Sequence, residues 1–365
     1  MFLSAALIVK DEERSLGRCL RSLTDVVDEV VVVDTGSTDG SVDIAESFGA
    51  TVLHRPWDGD FSAARNHGLD HVHGDWVLYV DADEYLAPTT RADVQRALQH
   101  PEAHVAYRLR LRHRQGFTPY FEYRIWRNRP DIRFWGVIHE SVAPSIFRVA
   151  ASESLKIGLA ELLLEHDGYE GDQRHKHERN LPLLLQQVEE DPTRTYLWDH
   201  IGRIREELER HDEAREAWQR GIDLVRANGV VDESDSLVYF DLMQSDTARG
   251  APDESIVDEA LSLFPDNALI YWGAAHSAAA RSDHATVIDL IDRLLAISPE
   301  HTARIGLGLN ERISGEWAFH IRGMAEFKLA DFAAAAADFA AAEALAPDVD
   351  EYRVKRLLAE SRASY

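Results

Sequence analysis

Trp76-Val77-Leu78-Tyr79-Val80-Asp81-Ala82-Asp83-Glu84 is an apolar run that ends abruptly in three carboxylates with a single alanine among them. The apolar half predicts a buried strand, and the change of character predicts that the strand stops where the charges begin. In an open α/β sheet, ligands gather outside the carboxyl ends of the strands. Closely spaced carboxylates there suit a hard divalent cation bridging to a bound diphosphate. A solvated strand-to-loop turn also carries acidic residues, so the rest of the chain must decide between the two readings.

Before residues 165–190, short apolar runs alternate with amphipathic stretches, the pattern of βαβ units. Leu3–Val9, Val30–Val33, Thr51–Leu53 and Trp76–Val80 read as strands. Arg14–Thr24, Ser41–Phe48 and Phe61–His71 read as helices. Ala103–Arg110, Tyr120–Trp126 and Ile132–Val137 look like further strands. From about Asp191 onward the chain reads as helix, with a period of about 34 residues. Trp198, Ile201, Gly202, Ala214, Trp218 and Gly221 fill one unit, and Phe319, Gly323, Phe332, Ala335, Phe339, Ala342 and Pro347 fill another. Tyr271, Ala275, Ile291, Leu294 and Pro299 give a weaker unit, and Leu237, Ala260 and Pro265 a degenerate one. Small residues let paired helices approach, large ones fill the groove, and proline closes each unit; this is the tetratricopeptide pattern. Stacked units leave a concave surface suited to peptides or partner proteins. Val354–Leu358 is expected in a capping helix. The expected division is 1–165 for the α/β domain, 166–190 for a linking helical segment and 191–365 for the repeats.

Composition narrows the function. The net charge of −25 over 365 residues argues against nonspecific nucleic-acid binding, which needs a basic surface. No apolar run approaches the length of a membrane span, and the N-terminus lacks a signal-peptide pattern. The one cysteine, Cys19, excludes an intramolecular disulfide or a cysteine-built zinc site, and its spacing with Leu16, Leu20 and Leu23 reads as core. A reducing cytoplasm is the expected setting.

Four clusters fall near the predicted strand ends: Val9-Lys10-Asp11-Glu12-Glu13, Val33-Asp34-Thr35-Gly36-Ser37-Thr38-Asp39-Gly40, Asp60-Phe61-Ser62-Ala63-Ala64-Arg65-Asn66 and Asp81-Ala82-Asp83. Helix capping explains Ser37 and Thr38, but not Asp34 at the strand tip. Arg65 sits on a predicted helix near the same edge, where its planar fork could hold a phosphate or a base. Neither a Gly-rich dinucleotide fingerprint nor a phosphate-loop Gly-Lys-Ser/Thr is present, so dehydrogenase and ATPase readings lose support.

In residue type, order and spacing these blocks closely resemble family 2 glycosyltransferases. The resemblance implies an α/β GT-A fold, Rossmann-like with a mainly parallel sheet, over roughly the first half of the chain. With the all-α tetratricopeptide-like half, it is similar to a subgroup that includes bacterial peptide S-glycosyltransferases and lipopolysaccharide-core transferases. It further implies a nucleotide-sugar donor, a UDP-sugar ahead of others, an inverting displacement and a Mn2+ or Mg2+ cofactor. Carried over by position, Val9, Asp11 and Glu12 would line the nucleoside pocket, with Gly36 and Ala82 beside the donor. Asp34 would bind the base, Arg65 the base or diphosphate, Asp81 the ribose or metal, and Asp83 the metal.

An inverting reaction needs a base opposite the leaving group, and the resemblance points to Glu140 in Phe134-Trp135-Gly136-Val137-Ile138-His139-Glu140. A His-Glu pair stands where many members carry an acid pair, leaving His139 open as ligand, orienter or acceptor contact. Trp135 is a candidate platform for sugar or acceptor. His166 resembles the histidine that completes the metal site in many such enzymes, and Lys176 and Arg179 could reach the diphosphate. The repeats favour a peptide or protein acceptor, though they could equally mediate homodimerisation. The alternatives are a repeat scaffold with a catalytically silent nucleotide-sugar domain, or a glycan transferase whose repeats only dimerise.

Overall fold

Alternate residues of the first strand, β1 (Leu3–Val9), enter two different cores. In the computed structural model, which describes residues 2–113, 115–166, 174–229, 231–298, 300–302 and 308–364, Leu3, Ala5, Leu7 and Val9 pack with Leu16, Cys19, Leu20 and Leu23 of α1 (Leu16–Leu23). Ala6 turns the other way, into a core with Leu69 of α3 (Phe61–Leu69). A strand buried on both faces needs apolar residues throughout, which is why β1 and β2 (Glu29–Asp34) read as continuous β-branched and aliphatic runs.

The chain divides into two units: Met1–Gln115 with Pro119–Gln187, and Gly116–Thr118 with Val188–Tyr365. The first unit holds an eight-stranded sheet of order β3-β2-β1-β4-β7-β6-β8-β5. Its further strands are β3 (Thr51–His54), β4 (Trp76–Tyr79), β5 (Glu84–Leu86), β6 (His104–Arg112), β7 (Tyr120–Arg127) and β8 (Lys156–His166). Its other helices are α2 (Ser41–Ser47), α4 (Arg91–Ala97), α5 (Ala143–Glu153) and α6 (Arg174–Glu190), of which α6 runs to the unit boundary. Pairs β1–β2, β1–β4, β2–β3 and β6–β8 are parallel; β4–β7, β6–β7 and β5–β8 are antiparallel. Because β7 reverses and β6 reverses again, β1, β2, β4 and β8 all end at the same edge of the sheet.

The expected strand at Ile132–Val137 is irregular instead. The backbone N–H and C=O of Phe134 bond to the Asn66 side chain at 2.9 and 3.0 Å, so they are withdrawn from any ladder. Trp135 and Ser141 exchange two backbone bonds of 3.0 Å, closing a tight loop in which Gly136 has φ 100°. Conversely β5, α5 and β8 were not read from the sequence, and the expected linking segment from 166 begins as the last residue of β8.

The second unit pairs α7 (Thr195–Glu207) with α8 (His211–Asn228), α9 (Ser236–Ala248) with α10 (Glu254–Leu263), and α11 (Ala268–Ala280) with α12 (His284–Ala296). Then α13 (Glu316–Lys328) pairs with α14 (Phe332–Leu345), and α15 (Asp350–Ala363) packs on α14 through buried Ala359. Pro299 lies outside the described residues, while Val354 and Leu358 sit on α15 as expected. A Cβ on Gly221 would lie 2.7 Å from Val238 Cγ1, and one on Gly202 would meet the Trp218 indole. Glycine at these sites is a packing requirement.

Gly221→Ala therefore opposes two effects: a helix-propensity gain of about 1 kcal/mol and an overpacking cost of about 1–3 kcal/mol. The expected outcome is a lower urea midpoint, and a raised one would contradict this account of the helix contact. In the first unit, burial raises the Asp28 and Glu29 carboxyls, but bonds from Leu3 N–H and Arg91, and from His73 and Ser4, outweigh it and hold both below the ordinary range. A native value below the unfolded one gives stability that is complete above the ordinary carboxylate range and lost as pH falls through it. The urea midpoint should fall below about pH 5, and Glu29→Gln should flatten that dependence.

Candidate active site at the sheet edge

The ends of β1, β2, β4 and β8 meet a cleft of about 380 Å³ lined by Val9, Glu12, Thr35, Trp57, Arg65, Asp81, Ala82, Asp83, His166, Lys176 and Arg179, among others. Nine of the residues singled out by sequence thus converge: Val9, Glu12, Arg65, Asp81, Ala82, Asp83, His166, Lys176 and Arg179. Asp11, Asp34, Gly36, Trp135, His139 and Glu140 are not in the lining. Thr35 and Phe61, which stand in the quoted clusters without a role of their own, also line it, as does Trp57, which the sequence reading missed; a tryptophan between charged residues just after a strand was the available signal.

Asp83 and His166 face each other, with Nε2 2.9 Å from Oδ2 and side-chain exposures of 33% and 28%. The other ring nitrogen, Nδ1, lies 2.7 Å from the His113 carbonyl oxygen. A carbonyl and a carboxylate can only accept, so both ring nitrogens carry protons here, and a bound cation would take the place of the one on Nε2. Burial pulls the His166 imidazole down, but the hydrogen bond and charge of Asp83 carry it up to about 9. Among the described residues, no group of three or more His, Cys, Asp or Glu side chains converges as a metal site. One carboxylate and one imidazole with its second nitrogen fixed nevertheless form a donor set that suits Mn2+ or Mg2+ when phosphate oxygens and water complete the shell.

Arg65, only 9% exposed, lies between two carboxylates. Its Nη2 donates to Asp81 Oδ1 at 2.8 Å, and its Nε donates to Glu140 Oε1. The guanidinium lies 4.4 Å from the Tyr79 ring centroid, and the Tyr79 hydroxyl donates to Asp81 Oδ2 at 3.0 Å. Despite burial, the charges of Arg65 and Arg124 hold Asp81 below the usual carboxylate range. Burial pushes Glu12 up, with Asp83 and Asp39 adding repulsion.

Asp34 is buried in its own loop: Oδ1 accepts from Ser37 N–H at 2.9 Å, and Oδ2 lies 3.2 Å from His54 Nδ1. Burial raises its carboxyl, but the bonds from Ser37 and His54 outweigh that and lower it. Asp11, at φ 55°, accepts from Thr38 N–H at 2.7 Å, which ties the first two loops together. Gly36 has φ 110°, a conformation few side chains tolerate. Trp135 is 58% exposed, and its indole N–H donates to Ser145 Oγ at 2.9 Å. His139, with φ 49°, and Glu140 follow in the same loop.

The family model described as Glycosyl transferase family 2 matches residues 4–155. A TPR repeat-containing protein of Synechococcus elongatus is 39% identical over 215 residues, covering 55% of this chain and 53% of its own. The SPbeta prophage-derived glycosyltransferase SunS of Bacillus subtilis is 25% identical over 229 residues, covering 60% and 53%. The chain thus spans about half the length of these curated relatives. Glucosyl-3-phosphoglycerate synthase from Mycobacterium tuberculosis, solved with Mn2+, uridine-diphosphate and glucosyl-3-phosphoglycerate, aligns with 52% of this chain and 79% of its own, at 18% identity and a TM-score of 0.37. Residues 4–155 are thus similar to the family 2 glycosyl transferases, within a GT-A-like first unit that is continued by tetratricopeptide-like helices.

Proposed function

We propose that the chain is an inverting, metal-dependent glycosyltransferase that moves a sugar from a UDP-sugar to a peptide or protein side chain held by the helical repeats. The observation that carries this reading is the convergence of Asp83, His166, Lys176 and Arg179 on the cleft where Asp81 and Arg65 also lie. Two ligand groups for a cation beside two basic side chains are what a diphosphate bound with its metal requires. Val9, Glu12, Thr35 and Trp57 form the wall for the nucleoside, with Asp11, Asp34 and Gly36 shaping the loops behind it. A bound Mn2+ or Mg2+ would supply charge stabilisation to the departing diphosphate, held by Asp83 and His166.

Glu140 serves as the base. It takes the proton from the acceptor hydroxyl or thiol as that atom bonds to the anomeric carbon, while the bond from that carbon to the diphosphate oxygen breaks. Arg65 keeps the Glu140 carboxylate in place by its hydrogen bond. His139 and the exposed Trp135 stand in the same loop as contacts for the incoming acceptor. A ladder of small residues in the second unit supports recruitment of a polypeptide, since stacked helix pairs present an extended surface.

Calorimetric titration with UDP should give binding that strengthens on adding Mn2+, and Asp83→Ala should remove the Mn2+ effect. If no nucleoside diphosphate binds more tightly with metal, the donor-site reading fails. Glu140→Gln should keep UDP binding within about twofold while lowering transfer by about 100-fold or more, the scale of a lost general base. Transfer is read by mass spectrometry of candidate peptides incubated with nucleotide sugars, and parental rates in Glu140→Gln would remove Glu140 from its role.

A further inference from the structure

Glu84, the last residue of the opening acidic run, turns away from the cleft. It meets Arg124 of β7 inside the first unit, where the two side chains are 3% and 4% exposed. Two bonds of 2.8 Å join Nη1 to Oε2 and Nη2 to Oε1. A buried ion pair is poor evidence for stability, because apolar residues of similar volume often do as well or better. The remaining partners of this pair point to a different use.

Glu84 Oε2 also accepts the Asp81 backbone N–H at 2.9 Å. The backbone N–H of Glu84 in turn donates to the Asp81 carbonyl at 3.0 Å. One residue therefore closes the Asp81–Glu84 turn from both ends. Arg124 is anchored in the middle of β7, and its guanidinium lies 4.5 Å from the Tyr79 ring centroid. That ring carries Arg65 at 4.4 Å as well, so two guanidinium groups share one aromatic ring. On the other side, Glu84 stands in register with His166 across β5 and β8.

We infer that Glu84 and Arg124 are positioning residues that set the Asp81–Asp83 turn, directing Asp81 to Arg65 and Asp83 to His166. The inference rests on reading the cleft as a metal-assisted donor site. Neither residue touches the donor; both act through the backbone of Asp81 and the ring of Tyr79.

The test uses the full chain with two readouts: amide hydrogen exchange of the segment 80–86, and calorimetric affinity for UDP with Mn2+. Glu84→Ala should leave far-UV circular dichroism unchanged while exchange protection of 80–86 and UDP affinity each fall about tenfold, the scale of one lost charge-assisted hydrogen bond. The double variant Glu84→Gln/Arg124→Met keeps an acceptor for the Asp81 N–H and removes both buried charges. It should return both readouts to within about threefold of the parent, a rescue that a merely space-filling pair would not give. A folded double variant as poor as Glu84→Ala overturns the inference, as does parental protection and affinity in Glu84→Ala. If Glu84→Ala does not fold, the double variant carries the test alone. A parent that binds no UDP with Mn2+ refutes the donor-site reading, whereas the exchange measurement still judges the turn.

Discussion

Two buried guanidinium groups, Arg65 and Arg124, lie against the Tyr79 ring and between them hold the carboxylates of Glu140, Asp81 and Glu84. Charges of this kind are costly to remove from water and persist only where each finds partners. The sheet supplies those partners from separate stretches of chain. Tyr79 closes β4, Arg124 lies within β7, Glu84 opens β5 and Arg65 projects from α3. The residues facing the cleft inherit their directions from this buried set, so the local geometry of the acidic turn is a property of the whole sheet.

The second unit obeys a different constraint. Its helices meet where glycine or alanine stands opposite a bulky side chain, as Gly202 does before Trp218 and Gly323 before Phe339. A period of small and large residues is a local signal, and it survives in the sequence even where individual repeats have drifted. This explains why the four helix pairs and the closing helix among the described residues are legible in the sequence.

In the first unit, legibility followed the same distinction between local and distant causes. The strand ends and their acidic residues were visible, because an apolar run stopping at Asp81 or Asp34 is written in consecutive residues. The partnership of Asp83 with His166 came from the resemblance alone, because β8 hides itself: its alternation is broken by the apolar run Leu162-Leu163-Leu164 and by a register shift against β6. The union of Glu84 with Arg124 depends on the register of β7 beside β4, and nothing in either neighbourhood announces it. Ile132–Val137 misled for the opposite reason. Its composition suits a strand, but a side chain 68 positions away, Asn66, takes its hydrogen bonds.

The placement of β8 also orders events in time. Asp83 and His166 are separated by 83 positions, and β5 takes β8 as its neighbour in the sheet. Closing so long a loop is among the slower steps available to a folding chain. While the polypeptide emerges from the ribosome, β1 to β4 can pair early, but β5 waits as an open strand until the stretch ending at His166 arrives. The two halves of the proposed cation site therefore cannot meet before β8, whose Ala160, Leu162 and Leu164 also complete the surrounding core, has been made.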